Sequence, residues 1–174
     1  MTASEVFESV TGSGSSDFAL LVNILNKHGS WCLIGGLAVN CYVEPVYTLD
    51  ADIVVATAKA QSIEEDLAAA GFSIQEFAHS INAQMKGSDL RIQLSTDPRY
   101  QDFLGDAKLM EVLGEQVPVA ALPRLVEGKL WAWRDDKRRP TKRKKDELDL
   151  MRILEAYPEL RSLMPEEITK QVPE

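Results

Sequence analysis

Trp31-Cys-Leu-Ile-Gly35-Gly36-Leu-Ala-Val-Asn-Cys-Tyr42 leads, past Pro45, into Thr48-Leu-Asp50-Ala-Asp52-Ile-Val-Val55, and the reading of the chain turns on this stretch. A short apolar run enters a Gly-Gly turn, and a helix is expected behind it. After the Pro45 break comes a second apolar run that carries two carboxylates one residue apart. Side chains at i and i+2 of a strand share a face, with Cα atoms roughly 6.5–7 Å apart. Placed so, Asp50 and Asp52 can share one divalent cation, or two cations about 3.5–4 Å apart, as in phosphoryl-transfer sites. Gly35 and Gly36 allow close backbone approach and offer free N–H groups at a helix N-terminus, which suits a triphosphate.

The arrangement resembles the nucleotidyltransferase superfamily to which polymerase β belongs, whose signature is a Gly-Gly or Gly-Ser turn followed by Asp-x-Asp. Thirteen residues separate Gly36 from Asp50, inside that family's range. Asp-x-Asp alone also occurs in glycosyltransferases and at solvated strand ends; its union with Gly35-Gly36 and the apolar run after Asp52 gives it weight. The resemblance implies Mg²⁺ (or Mn²⁺) as cofactor and a nucleoside triphosphate (NTP) as substrate. It implies Asp50 and Asp52 as catalytic metal ligands, with Gly35, Gly36 and Thr48 at the nucleotide.

The chain of 174 residues suits one compact body, and 45% hydrophobic content is enough to build a core. No apolar leader follows Met1 and no stretch reaches membrane-span length, so a cytoplasmic protein without membrane attachment is expected. Cys32 and Cys41 flank the glycine turn and, with only His28 and His79 beside them, form no zinc spacing; both read as buried, reduced thiols. The net charge is −8, yet seven of the nine residues from Lys137 to Lys145 are basic. Indiscriminate polyanion binding by an acidic chain is excluded, whereas local binding at Lys137, Arg138, Arg139, Lys142, Arg143, Lys144 and Lys145 is not. Alone, such a run reads as a solvated loop and helix start.

Periodicity divides the chain into a flexible segment (residues 1–16), an α/β core (17–120) and a helical C-terminal portion (121–174). A helix with Phe18, Leu21, Val22 and Leu25 on one face should end near Gly29. Ser62-Ile-Glu-Glu65 looks like a capping box opening a helix that stops at Gly71. Strands are expected near 72–77, 81–86 and 89–95, then a hairpin around Gly114-Glu115. Pro123 should begin a helix, a basic loop containing Pro140 should interrupt, and a long helix should run towards Pro158, with a short one near 165–171. The fold class expected is α+β: a nucleotidyltransferase-like mixed sheet flanked by helices, with a helical C-terminal portion.

The later motifs narrow the resemblance. Val117-Pro-Val-Ala120, Lys129-Leu-Trp-Ala132, Arg138-Arg139 and Lys145-Asp-Glu-Leu-Asp149, in this order, look like the AbiEii-type nucleotidyltransferases of bacterial toxin systems, over roughly residues 31–158. That likeness implies an antitoxin protein partner. Lys129 suits triphosphate charge as a compact cation, and serves equally as a lysine snorkelling from an apolar face. Asp146 and Asp149 share a helix face and are expected to pair with Lys142 or Lys145, holding the basic loop in shape. Core packing accounts for Trp133; Trp131 is the one offered as a stacking surface.

Two positions depart from the family pattern. Val46 stands where relatives often carry a polar residue, four before the first aspartate. The third carboxylate of the superfamily comes from a neighbouring strand, which here reads Asp89-Leu-Arg91-Ile-Gln93-Leu. Asp89 is the candidate third catalytic and metal ligand, but one alignment puts Arg91 in that place. Two functions therefore stand open. One is metal-dependent transfer of a nucleoside monophosphate from an NTP to an acceptor hydroxyl on RNA or protein, in a toxin-type enzyme. The alternative is a catalytically degenerate relative that binds nucleotide or a partner protein.

Overall fold

The computed structural model describes residues 2–174, with residues 3 and 4 described by their backbone alone. Its strands are β1 (Trp31–Ile34), β2 (Asp50–Val55), β3 (Ser73–Phe77), β4 (Ser80–Gln84), β5 (Arg91–Ser95), β6 (Lys108–Val112) and β7 (Glu115–Val119). They form one mixed sheet in the order β3-β4-β5-β2-β1-β7-β6. β2 lies at its centre, antiparallel to β1 and parallel to β5. The helices are α1 (Ala3–Thr11), α2 (Gly14–Leu25), α3 (Gly35–Val39), α4 (Ala60–Ala69), α5 (Leu122–Arg134), α6 (Pro140–Ala156) and α7 (Glu166–Thr169).

Alternation decides the two faces of the sheet. Ala51 pairs with Ile92 and Ile53 with Leu94, and across β4 the same face carries Ala83 and Ile81. These residues are buried in one core with Phe18, Leu21 and Leu25 of α2 and Ile63 and Leu67 of α4. Each large side chain so buried contributes about 1.5–3 kcal/mol. The opposite face carries Asp50, Asp52, Arg91 and Gln93, because these alternate with the buried set. The α+β architecture expected from the sequence is thus the one observed, with the C-terminal α5 and α6 packed on each other and on α3.

Local chemistry explains where expectation and structure part. The first helix, α1, is closed at its start by a capping box in which Thr2 Oγ1 accepts from Glu5 N and Glu5 accepts from Thr2 N. Ser62 caps nothing: a 3-10 turn over Thr57–Lys59 starts the helix two residues earlier, at Ala60. Pro140 is no loop residue but opens α6, where a missing N–H costs no hydrogen bond, so Lys142 to Lys145 stand on a helix. The β6–β7 turn is made by Leu113 (φ 51°) and Gly114 (φ 87°). β5 begins only at Arg91, because the amide of Asp89 is already given to the Thr11 carbonyl at the end of α1. Among the described residues no helix is long and apolar enough to cross a membrane.

Candidate functional site

β1 runs straight into α3 through Gly35, whose φ of 71° is readily open only to glycine. Ile34 at the end of β1 pairs with Asp52, which brings the Gly-Gly turn beside the second aspartate. A Cβ added to Gly35 would fall on the Asp52 carboxylate, whereas one on Gly36 would meet Thr48 at an ordinary 3.6 Å. Thr48 is buried, and its Oγ1 accepts from the amide of Asp50 (3.3 Å), setting the entry of β2. The loop ahead of it is closed by Asn40, whose side chain donates to Val46 O (2.7 Å) and accepts from Val46 N (3.1 Å). Arg152 of α6 donates to Asn40 Oδ1 (3.0 Å) and ties that loop to the C-terminal helices. Asn40 and Arg152 carry no motif, and the sequence did not mark them.

Asp50 and Asp52 share one face of β2 and line a cavity of about 770 Å³. Gly36, Thr48, Arg91, Gln93 and Lys129 line it too, as do Arg138, Arg139, Lys142 and Lys145 from the basic run. A second cavity of about 260 Å³, walled by Tyr100, Phe103, Leu125 and Gly128, meets the first at Asp52, Gln93, Lys129 and Arg138. Arg99 lies over the Trp131 ring (5.2 Å to its centroid), and that ring stacks on Phe103 at 5.8 Å, so Trp131 belongs to an aromatic cluster behind this cavity. Asp89 is exposed, two residues ahead of β5, and is not among the residues lining either cavity. The parallel register puts Arg91 beside Asp50 and Gln93 beside Asp52. The structure brings the two aspartates together and does not bring Asp89 to them.

Both oxygens of Asp50 are engaged. Arg91 Nε donates to Oδ1 at 2.6 Å, and Lys142 Nζ, reaching down from α6, donates to Oδ2 at 2.5 Å. Burial works to raise the Asp50 carboxyl, but hydrogen bonds from Lys142 and Arg91 outweigh it and hold the group below the usual carboxylate range. Burial pushes Asp52 the other way, above that range; Asp50 adds to the rise, while Lys129, Lys142 and Arg138 oppose it. The two motif aspartates therefore stand in unlike environments.

Lys129 lies, largely shielded from solvent, between Asp146 (2.9 Å) and Asp149 (2.7 Å). Burial would lower its ammonium, yet these carboxylates hold it above its ordinary value. Asp146 also accepts from Arg138 (2.6 Å) and Asp149 from Arg152 (2.7 Å). The two aspartates were expected to pair with Lys142 or Lys145. They pair instead with Lys129, Arg138 and Arg152, since α5 packs against α6 and Lys142 points to β2. The thiol of Cys32, buried in β1, is pushed up to about 12 by burial, as suits an inert core residue.

Magnesium in phosphate chemistry is commonly held by one or two carboxylates plus substrate phosphates. Among the described residues the Asp52 carboxylate takes no hydrogen bond or ion pair, so Asp50 and Asp52 fit one cation that arrives with a triphosphate. A two-metal centre of this kind uses a further carboxylate, whereas the neighbouring strand offers Arg91, a cation, beside Asp50 and only the neutral amide oxygen of Gln93 beside Asp52. Among the described residues no three His, Cys, Asp or Glu side chains gather as a metal-holding group.

No protein-family model and no curated protein matches the sequence. Solved structures share the fold. An antigenic nucleotidyltransferase-like protein from Paracoccidioides brasiliensis superposes with a TM-score of 0.58 at 13% identity, over 90% of this chain and 88% of that one. ANT(2")-Ia in complex with adenylyl-2"-tobramycin gives 0.56 at 13%, over 90% and 92%. The lincosamide antibiotic adenylyltransferase LnuA, lincomycin-bound, gives 0.53 at 14%, over 76% and 92%. At such identities the likeness establishes the fold, which is that of the nucleotidyltransferases.

Proposed function

We propose that the chain binds an NTP along the larger cavity and transfers its nucleoside monophosphate to an acceptor hydroxyl. The observation that carries this reading is the convergence on one cavity of Asp50 and Asp52 of β2, the Gly35-Gly36 turn and the cationic wall of α6. The triphosphate is met by the glycine turn and by Lys142 and Arg91, which leave Asp50 for the phosphates as these enter. Lys129 stays with Asp146 and Asp149 and lends its charge at longer range. Magnesium held by Asp50 and Asp52 would neutralise charge at the reacting phosphorus. The acceptor oxygen attacks the α-phosphorus, the bond to the bridging oxygen breaks, pyrophosphate leaves, and the hydroxyl proton passes to solvent. The smaller cavity beside Asp52 supports an approach for the acceptor.

The basic run supports RNA as the acceptor to test first, because Arg139, Lys142 and Lys145 open on the same cavity as Asp50. The resemblance to AbiEii-type toxins supports a toxin role with an antitoxin partner. Pyrophosphate release measured with each of the four NTPs, magnesium and total RNA tests the transfer. Release by the wild type that is lost in Asp52→Asn is expected. Silence of the wild type under all four conditions overturns it in favour of the second reading, a nucleotide-binding relative without turnover. One observation supports that second reading, namely that the strand beside β2 sets a cation, Arg91, and no carboxylate next to Asp50.

A further inference from the structure

The face of the sheet that carries Asp50 and Asp52 continues across β5, β4 and β3 as two polar rows. Asp52 pairs with Gln93, Gln93 with Asn82, and Asn82 with Gln75. Residues directly opposite on adjacent strands share a face, with strands about 4.8 Å apart, so three carboxamides stand side by side over roughly 10 Å. In the next row, which contains Asp50 and Arg91, Gln84 pairs with Ser73. All of these line the larger cavity. Among the described residues, none of Gln75, Asn82 and Gln93 hydrogen-bonds to another side chain, and Oδ1 of Asn82 is buried without a partner.

We propose that Gln75, Asn82 and Gln93 form a floor that reads the edge of one unpaired nucleobase. The inference rests on the assignment of the cavity to nucleotide chemistry. Carboxamides pair in two-pronged fashion with the mixed donor and acceptor edge of a base. The row is uncharged, which suits a neutral heterocycle. Arg138, Arg139, Lys142 and Lys145 on the wall repel a polyamine and favour a ligand that brings phosphates. Tyr47, 56% exposed at the rim of the same cavity, offers a ring on which a base can stack. The base belongs either to the NTP or to the last nucleotide of an RNA strand.

Binding without turnover distinguishes these. Wild type, Asn82→Leu and Gln75→Leu are titrated by calorimetry with inorganic triphosphate, with the four NTPs, and with six-nucleotide RNAs ending in each base or in an abasic ribose. Gln75 is exposed, so its variant keeps the test open even where Asn82→Leu fails to fold. Both variants should bind inorganic triphosphate and the abasic RNA like the wild type. Each should lose about 3- to 10-fold in affinity for one base-bearing series, the span of a single hydrogen bond, and flatten its preference among the four bases. Loss confined to NTPs assigns the floor to the incoming base; loss confined to the RNAs assigns it to the acceptor. Base preference unchanged in both variants, or a wild type that binds base-free and base-bearing ligands equally, overturns the proposal. Failure of inorganic triphosphate to bind strikes the phosphate assignment alone, since the RNA series tests the floor separately.

Discussion

Arg91 stands directly across from Asp50 on neighbouring parallel strands, and its Nε lies 2.6 Å from Asp50 Oδ1. With Lys142 on the other oxygen, the first motif aspartate is held by two cations, and whatever enters the cavity must compete with them. Arg91→Gln removes one competitor. Its side chain is 54% exposed, so stability should change by no more than about 1 kcal/mol. Magnesium affinity, read by calorimetry, should rise above that of the wild type, and rise further in Arg91→Asp. Equal affinity in all three proteins would show that Arg91 does not guard the site.

Lys142 reaches Asp50 from α6 across 92 positions of sequence. Lys142→Ala should weaken triphosphate binding about 10-fold or more while leaving nucleoside binding unchanged, because only phosphate meets the ammonium. Titration with a nucleoside and its triphosphate side by side checks this.

The glycines of the turn should behave oppositely. Gly35→Ala forces a Cβ onto the Asp52 carboxylate at a positive φ and should cost at least about 1–2 kcal/mol. Gly36→Ala has room, at 3.6 Å from Thr48, and should be neutral or stabilising by up to about 1 kcal/mol. Urea unfolding of the two variants measures the contrast.

The two aspartates should also oppose each other in pH. Asp50 has a folded pKa below its unfolded one, so the stability it adds is present above about pH 4 and is lost as pH falls through the folded value. Asp50→Asn should therefore lower Tm at pH 7, and the deficit should vanish in acid. The folded pKa of Asp52 is raised, so its favourable contribution belongs to acid pH and is lost as pH rises through that value. Asp52→Asn should raise Tm at pH 7, by about 2–4 °C for each 1 kcal/mol relieved, and the gain should shrink on acidification. Thermal melts of the three proteins from pH 3 to 8 read both signs.

Lys129 is 12% exposed and joins carboxylates that are 2% and 8% exposed. Lys129→Met should cost about 3–5 kcal/mol, since it strips a partner from two buried charges. Adding Asp149→Asn should recover part of that loss, and a double-mutant cycle in urea would measure how much.

What the sequence by itself determined is local. The alternation in Asp50-Ala-Asp52-Ile53 set both carboxylates on one face, the Gly35-Gly36 turn announced its close approach, and the apolar stripes of α2 and β5 marked the core. Pro140 does not by itself tell a loop from a helix, because proline is equally at home in a turn and at a helix start, and only the packing of α6 on α5 chooses. Tertiary structure decided the site's charge. Whether Asp89 or Arg91 lies beside Asp50 is a matter of strand register, and a single hydrogen bond from Asp89 to the end of α1 helps to fix where β5 begins. The same holds for Lys142 on Asp50 and Lys129 between Asp146 and Asp149. Ion pairs between residues far apart in the chain follow from how helices dock on a sheet, and no spacing along the sequence encodes that directly.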